Sequence, residues 1–361
     1  MITTDRLRYF AACNSENGFY SFYSRVFDET LERIYIIKGG PGTGKSSLMR
    51  RAADRAEQAG YRVEEIYCSS DPASLDGMIA CDAKGRGKVA VLDGTAPHIR
   101  ELELAGARDS IFYVGEFWSE EALTHQREAI AQDCRMRADA YRRLFRYLHA
   151  AGQCVRNAED LVSDGLDMRG IGETITSILE EHPSGSAFEE KIMVTRSIGM
   201  KGSVRLSTLE KQASLIYQIC DRGNLAWRLL DEIYTQAQKR RLFVWVSRDP
   251  LIPTRIDGIC LPESGLAFVV GNADAASVSA IGNKEIRSIS IEQYLNPACL
   301  ARAAESLDRA ENITEQLMHA AYSVLDEIRK IHFTLEKKYV DAMDFEGLNT
   351  HTERWLKKIL P

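Results

Sequence analysis

The chain has 361 residues, of which 27% are charged and 45% hydrophobic, a near-average composition that excludes a mostly disordered or fibrous chain and predicts about two domains. Its 46 basic and 52 acidic side chains leave a net charge of −6, so binding to nucleic acid is not favoured as the dominant activity. No apolar run approaches the roughly 20 residues needed to cross a bilayer, and MITTDRLRYF lacks the apolar stretch of a signal peptide. The cysteines, at 13, 68, 81, 134, 154, 220, 260 and 299, form no CxxC pair. Scattered thiols without an export signal predict reduced structural cysteines and a cytoplasmic location. The histidines show no metal-ligand spacing, which argues against a structural zinc site.

The first element with chemistry on its face is IYIIKGGPGTGKSSL. Ile34 to Lys38 is a β-branched and aromatic run that predicts a buried strand. Gly39, Gly40, Pro41, Gly42, Thr43, Gly44, Lys45 and Ser46 then fit G-x-x-x-x-G-K-[ST] at every fixed position. Helical composition continues from Ser47 to a stop at Gly60. Strand, glycine loop and helix is the order a phosphate-binding loop requires. Backbone N–H groups must converge on a polyanion without side chains in the way, next to a helix N-terminus that favours negative charge. Lys45 is expected to reach the β- and γ-phosphates, and Ser46 to place its hydroxyl on Mg²⁺.

Further on, Val89 to Asp93 reads as a buried strand ending in a carboxylate, the form of a Walker B element that holds Mg²⁺. Thr95 and His98 follow it; they either contact the γ-phosphate, orient water or move a proton, or are a turn residue and a surface histidine. Asp71 and Asp76 occupy the place where several kinases keep a base, but both recur in the second half and read better as structural. Glu116, in Gly115-Glu116-Phe117-Trp118, is a further candidate for polarising water.

A long helical stretch is expected near 120–163. Leu123, Ile130, Cys134, Tyr141, Leu144, Leu148, Ala151 and Val155 form an apolar stripe suited to another helix or to a partner. Arg127, Arg135, Arg137, Arg142, Arg143, Arg146 and Arg156 make it basic. They read as a solvated or internally paired face, with a phosphate-rich partner or an arginine finger as the alternative. A short amphipathic helix is expected at 172–181.

Beyond Pro183-Ser184-Gly185-Ser186 the pattern repeats at an offset near 180. Ile34-Tyr35 matches Ile216-Tyr217, Asp71-Pro72 matches Asp249-Pro250, Asp76-Gly77 matches Asp257-Gly258, and Ser110-Ile111 matches Ser288-Ile289. A second helical stretch near 297–343 carries Leu300, Ala304, Leu307, Met318, Ala321, Leu325, Ile328 and Leu335, and a last helix lies near 351–360. The second copy has Asp221-Arg222-Gly223-Asn224 in place of the glycine loop. Its strand Gly265 to Val270 ends in Gly271-Asn272 with no acid, followed by Ala273 to Ala276. The expected organisation is one competent domain at 1–185 and one degenerate copy at 186–361.

With GGPGTGKSS, CSSDPASLDG, VLDGTAPH and VGEFW, the chain resembles an uncharacterised family of bacterial ATPase-like proteins built from two tandem P-loop NTPase domains. The family pattern carries a phosphate loop in both halves, and CDRGNLAW departs from it here. The resemblance implies ATP binding and hydrolysis. The expectation is therefore an α/β protein with duplicated three-layer αβα domains of P-loop NTPase type, each with a helical extension. It would bind ATP or another NTP through Gly39–Ser47, hold Mg²⁺ with Ser46 and Asp93, and hydrolyse the nucleotide with Lys45, Asp93, Thr95 and Glu116. Phosphoryl transfer to a small molecule or nucleotide, and a nucleotide-binding scaffold with little turnover, are the alternatives. A protein partner or self-association through the long helices is possible.

Overall fold

A computed structural model describes residues 6–182, 185–271 and 284–360. Residues 1–5, Pro183-Ser184 and the stretch Asn272 to Ala276 singled out above lie outside the described residues. The first half runs β1 (Leu7–Phe10), β2 (Ala12–Ser15), β3 (Gly18–Ser21), α1 (Tyr23–Val26), β4 (Arg33–Lys38), α2 (Lys45–Gln58), β5 (Arg62–Tyr67), β6 (Leu75–Cys81), β7 (Gly87–Asp93), β8 (Asp109–Tyr113), α3 (Glu120–His125), α4 (Arg127–Asp160) and α5 (Met168–Glu180). The second half runs β9 (Glu189–Met193), β10 (Arg196–Gly199), β11 (Gly202–Arg205), α6 (Thr208–Gln212), β12 (Leu215–Cys220), α7 (Ala226–Lys239), β13 (Phe243–Arg248), β14 (Ile256–Leu261), β15 (Leu266–Val270), β16 (Glu285–Ser290), α8 (Pro297–Val340) and α9 (Phe345–Ile359).

Each half contains a mixed six-stranded sheet, and the two sheets share one strand order. The first is β1-β5-β6-β7-β4-β8 and the second is β9-β13-β14-β15-β12-β16. All neighbours are parallel except β6, antiparallel to β5 and β7, and β14, antiparallel to β13 and β15. The links flanking β6 are too short to carry a crossover helix, so the chain can only reverse. α2 closes with Gly60 left-handed at φ +85°. The Tyr61 and Gly60 amides donate to the Ala56 and Glu57 carbonyls, which ends the helix where the sequence predicted.

The sheets differ from free-standing three-layer domains on their inner faces. Among the described residues the long helix between parallel strands is α2 in the first sheet and α7 in the second, both on the outer faces, and only the short α1 and α6 lie toward the inner faces. Ile34, Ile36, Ile66 and Leu92 of the first sheet instead share one apolar cluster with Tyr23 and Phe27 around α1, and with Leu209, Ile216, Trp245 and Val269 of the second half. The outer faces are covered by helices that cross between halves. Leu348, Leu356 and Ile359 of α9 pack with Leu48, Met49 and Ala52 of α2 over Ile37 and Val91. Reciprocally, Ile171, Ile175 and Leu179 of α5 pack with Leu229, Leu230 and Ile233 of α7 over Val244 and Ile259.

Length makes the crossing possible. The 34-residue α4 and the 44-residue α8 span about 50 and 65 Å. They lie antiparallel, with Ala140, Leu144 and Leu148 against Ala321, Leu325 and Ile328. Arg143 pairs with Glu327 at 2.6 Å, and Lys338 pairs with Asp133. The apolar stripes therefore meet within the chain, and Arg142 and Arg156 are internally paired with Asp139 and Glu16.

Candidate functional site

Strand β4 feeds the loop Gly39–Gly44, which runs into the first turn of α2. Gly42 (φ +69°) and Gly44 (φ +81°) are left-handed, a conformation that glycine adopts without a Cβ penalty. The Lys45 ammonium turns back into the loop. It donates to the carbonyls of Gly40 (2.6 Å) and Gly39 (3.3 Å) and lies 3.5 Å from Asp93 Oδ2. Register explains that approach, because β7 lies beside β4 and pairs Asp93 with Ile37. Thr43 is buried and its hydroxyl donates to the Gly40 carbonyl at 2.8 Å. Pro41 is half-buried and Ser47 exposed.

Ser46 Oγ accepts the Leu75 amide at 2.9 Å, which ties α2 to β6. Thr95 is turned toward Asp93: its amide (2.9 Å) and hydroxyl (2.6 Å) both donate to Asp93 Oδ1. It therefore orients the carboxylate. Glu116 is exposed in the 3₁₀ turn Val114–Phe117 after β8. That turn borders the loop, since a Cβ on Gly39 would fall 2.1 Å from Val114 Cγ2. Ser46 and Asp93 offer hard oxygen donors of the kind Mg²⁺ takes, on either side of an ammonium suited to phosphate.

The end of α8, from the other half of the chain, closes over this loop. A Cβ on Gly40 would fall 2.7 Å from the Tyr339 ring, and one on Gly42 would fall 2.6 Å from Glu336 Cγ and 2.8 Å from the Glu336 carbonyl. His332, Glu336 and Tyr339 lie three to four residues apart and so share one helix face. Burial and Asp71 push the Glu336 carboxyl up, against an opposing pull from Lys45. Burial, Arg137 and Lys45 push the His332 imidazole down. None of these was legible as a site residue, because their sequence pattern is that of any amphipathic helix. Arg137, part of the basic run of α4, acts on both His332 and Tyr339.

Asp71 accepts the Ala73 amide at 3.2 Å and lines a cleft of about 390 Å³ with Met200, Lys201, Asp326, Arg329 and Phe333. Asp76 lies at the start of β6 and pairs with His98 Nε2 at 2.9 Å. His98 is 7% exposed, so the surface-histidine alternative does not hold.

In the second half, Asp221 Oδ1 accepts the amides of Leu225 (2.9 Å) and Ala226 (3.0 Å) at the start of α7. A side-chain carboxylate thus occupies the anion position of that helix N-terminus. Asp221 is exposed as a residue, but its carboxyl is tucked against the start of α7, where lost hydration pushes it up to about 6 against the opposing pull of the Leu225 and Ala226 amides. Arg222 is engaged by Asp308 (2.6 Å) and Glu311 (2.9 Å).

No protein-family model, curated protein or solved structure matches this chain at a significant level.

Proposed function

We propose that the chain binds Mg²⁺–ATP at Gly39–Ser46 and hydrolyses it, acting as a switch whose α8 senses the nucleotide. The observation that carries this reading is the convergence of Lys45, the N-terminus of α2 and Asp93 at the carboxyl ends of adjacent parallel strands. On this reading the loop amides and Lys45 hold the β- and γ-phosphates. Ser46 and Asp93 hold the metal, which neutralises phosphate charge, and Thr95 keeps Asp93 oriented. Glu336 is the half-buried carboxylate suited to orienting the attacking water, and Glu116 is the exposed alternative.

The matching strand orders support an internal duplication in which the second copy kept the sheet and filled its phosphate position with Asp221.

The test is a titration of the intact chain with ATP and Mg²⁺, followed by phosphate release. Lys45→Ala is expected to weaken binding at least about tenfold and to abolish turnover, given the loss of a charge-assisted contact of about 1.5–3 kcal/mol. Absence of binding by the wild-type chain, or equal binding by the variant, refutes the reading. A second reading, phosphoryl transfer to a small acceptor, is favoured by the cleft beside Asp71 with the cationic Lys201 and Arg329. Label moving from γ-labelled ATP to an added metabolite would distinguish it.

A further inference from the structure

Three potential metal ligands from separate strand ends meet beside the phosphate loop. Cys68 follows β5, Asp76 is the second residue of β6, and His98 closes the turn after β7. Because β6 runs antiparallel, its first residues lie at the same sheet edge as the last residues of its neighbours. Cys68 Sγ, an Asp76 oxygen and a His98 ring nitrogen all lie within 4.8 Å of one another. We propose that Cys68, Asp76 and His98 bind a divalent transition-metal ion of the zinc class, at a site distinct from the Ser46–Asp93 pair.

The dimensions fit. Zinc bonds of about 2.3 Å to sulfur and 2.0–2.2 Å to nitrogen and oxygen, in a tetrahedron, place ligand atoms about 3.4–3.6 Å apart. From separations of at most 4.8 Å the atoms need to close by no more than about an ångström, while the Asp76–His98 pair, now 2.9 Å apart, needs to open by about half an ångström; both are within rotamer adjustment. Thiolate, imidazole and carboxylate together suit a borderline-soft ion, whereas Mg²⁺ prefers oxygen. On binding, Cys68 releases its thiol proton, and the His98 proton moves to Nδ1 so that Nε2 can ligate.

Two further observations point to a ligand. Tyr23 stacks on His98 with centroids 4.5 Å apart, and its hydroxyl, on a residue only 7% exposed, finds no hydrogen-bond partner among the described residues. The second half supplies the contrast. Asp257, the counterpart of Asp76, is neutralised by Arg196 through bonds of 2.7 and 2.6 Å. Arg196 opens β10, and the matching first residue of β2 is Ala12. Among the described residues Asp76 thus has no arginine partner, and it faces an imidazole and a thiol instead.

The experiment takes the full chain, stripped with chelator and free of nucleotide, and titrates it with Co²⁺. One equivalent is expected to produce a thiolate-to-cobalt charge-transfer band that Zn²⁺ displaces. Cys68→Ser is expected to abolish the band, and His98→Gln to weaken binding at least about tenfold. Without any substitution, Zn²⁺ is expected to protect Cys68 from alkylation, read by peptide mapping, while exposed Cys134 reacts at an unchanged rate. Absence of the band at one equivalent, its survival in Cys68→Ser, or unprotected Cys68 would overturn the proposal.

Discussion

Exchange of the terminal helices can be tested with one leucine. Leu356 in α9 is 2% exposed and packs into the α2 side of the first sheet, although it lies 263 residues after Asp93 in sequence. Leu356→Ala removes three buried carbons and leaves a cavity, a loss of about 2.7–5 kcal/mol. Opening of the elements it covers should rise by about two to three and a half powers of ten. Hydrogen–deuterium exchange of the intact chain reads this by segment. Protection is expected to fall most in α2, β4 and β7 of the first half. Leu179→Ala in α5, also fully buried, is expected to do the reverse and loosen α7, β13 and β14. If Leu356→Ala loosened β12–β15 and left α2 unchanged, the crossed packing would be wrong.

Gly42→Ala is expected to lose about 2–4 kcal/mol in chemical denaturation, since alanine is strained at φ +69° and its Cβ would meet the Glu336 backbone. Arg196→Ala leaves buried Asp257 uncompensated and is expected to lose about 3–5 kcal/mol at neutral pH, and less in acid where the carboxyl can take a proton. The Asp221 carboxyl is raised when folded, so its contribution is full below about pH 4 and declines as pH rises through about 6. Asp221→Asn should remove that declining component from the stability profile, a change under about 1 kcal/mol because the residue is solvent-exposed. If Glu336 orients water, Glu336→Gln should lower turnover about 10²-fold or more while nucleotide affinity moves only a few-fold. Equal losses in both would assign Glu336 to binding instead.

The sequence by itself determined the local pieces. The GGPGTGKS loop between a β-branched strand and a helix, the glycine stop at residue 60, the carboxylate closing β7 and the amphipathic stripes of α4 and α8 all follow from short-range rules of propensity, backbone angle and periodicity. Matched strand and turn patterns at a steady offset predicted two similar halves, and the two sheets share one strand order. Tertiary structure alone decided what meets what. Nothing in the α8 pattern says that Glu336 and Tyr339 abut Gly42 and Gly40, or that α5 and α9 exchange sheets; those contacts depend on where helices about 50 and 65 Å long end. Likewise Cys68, Asp76 and His98 have no ligand spacing in the chain. They converge because an antiparallel strand brings its beginning to the edge where its parallel neighbours finish.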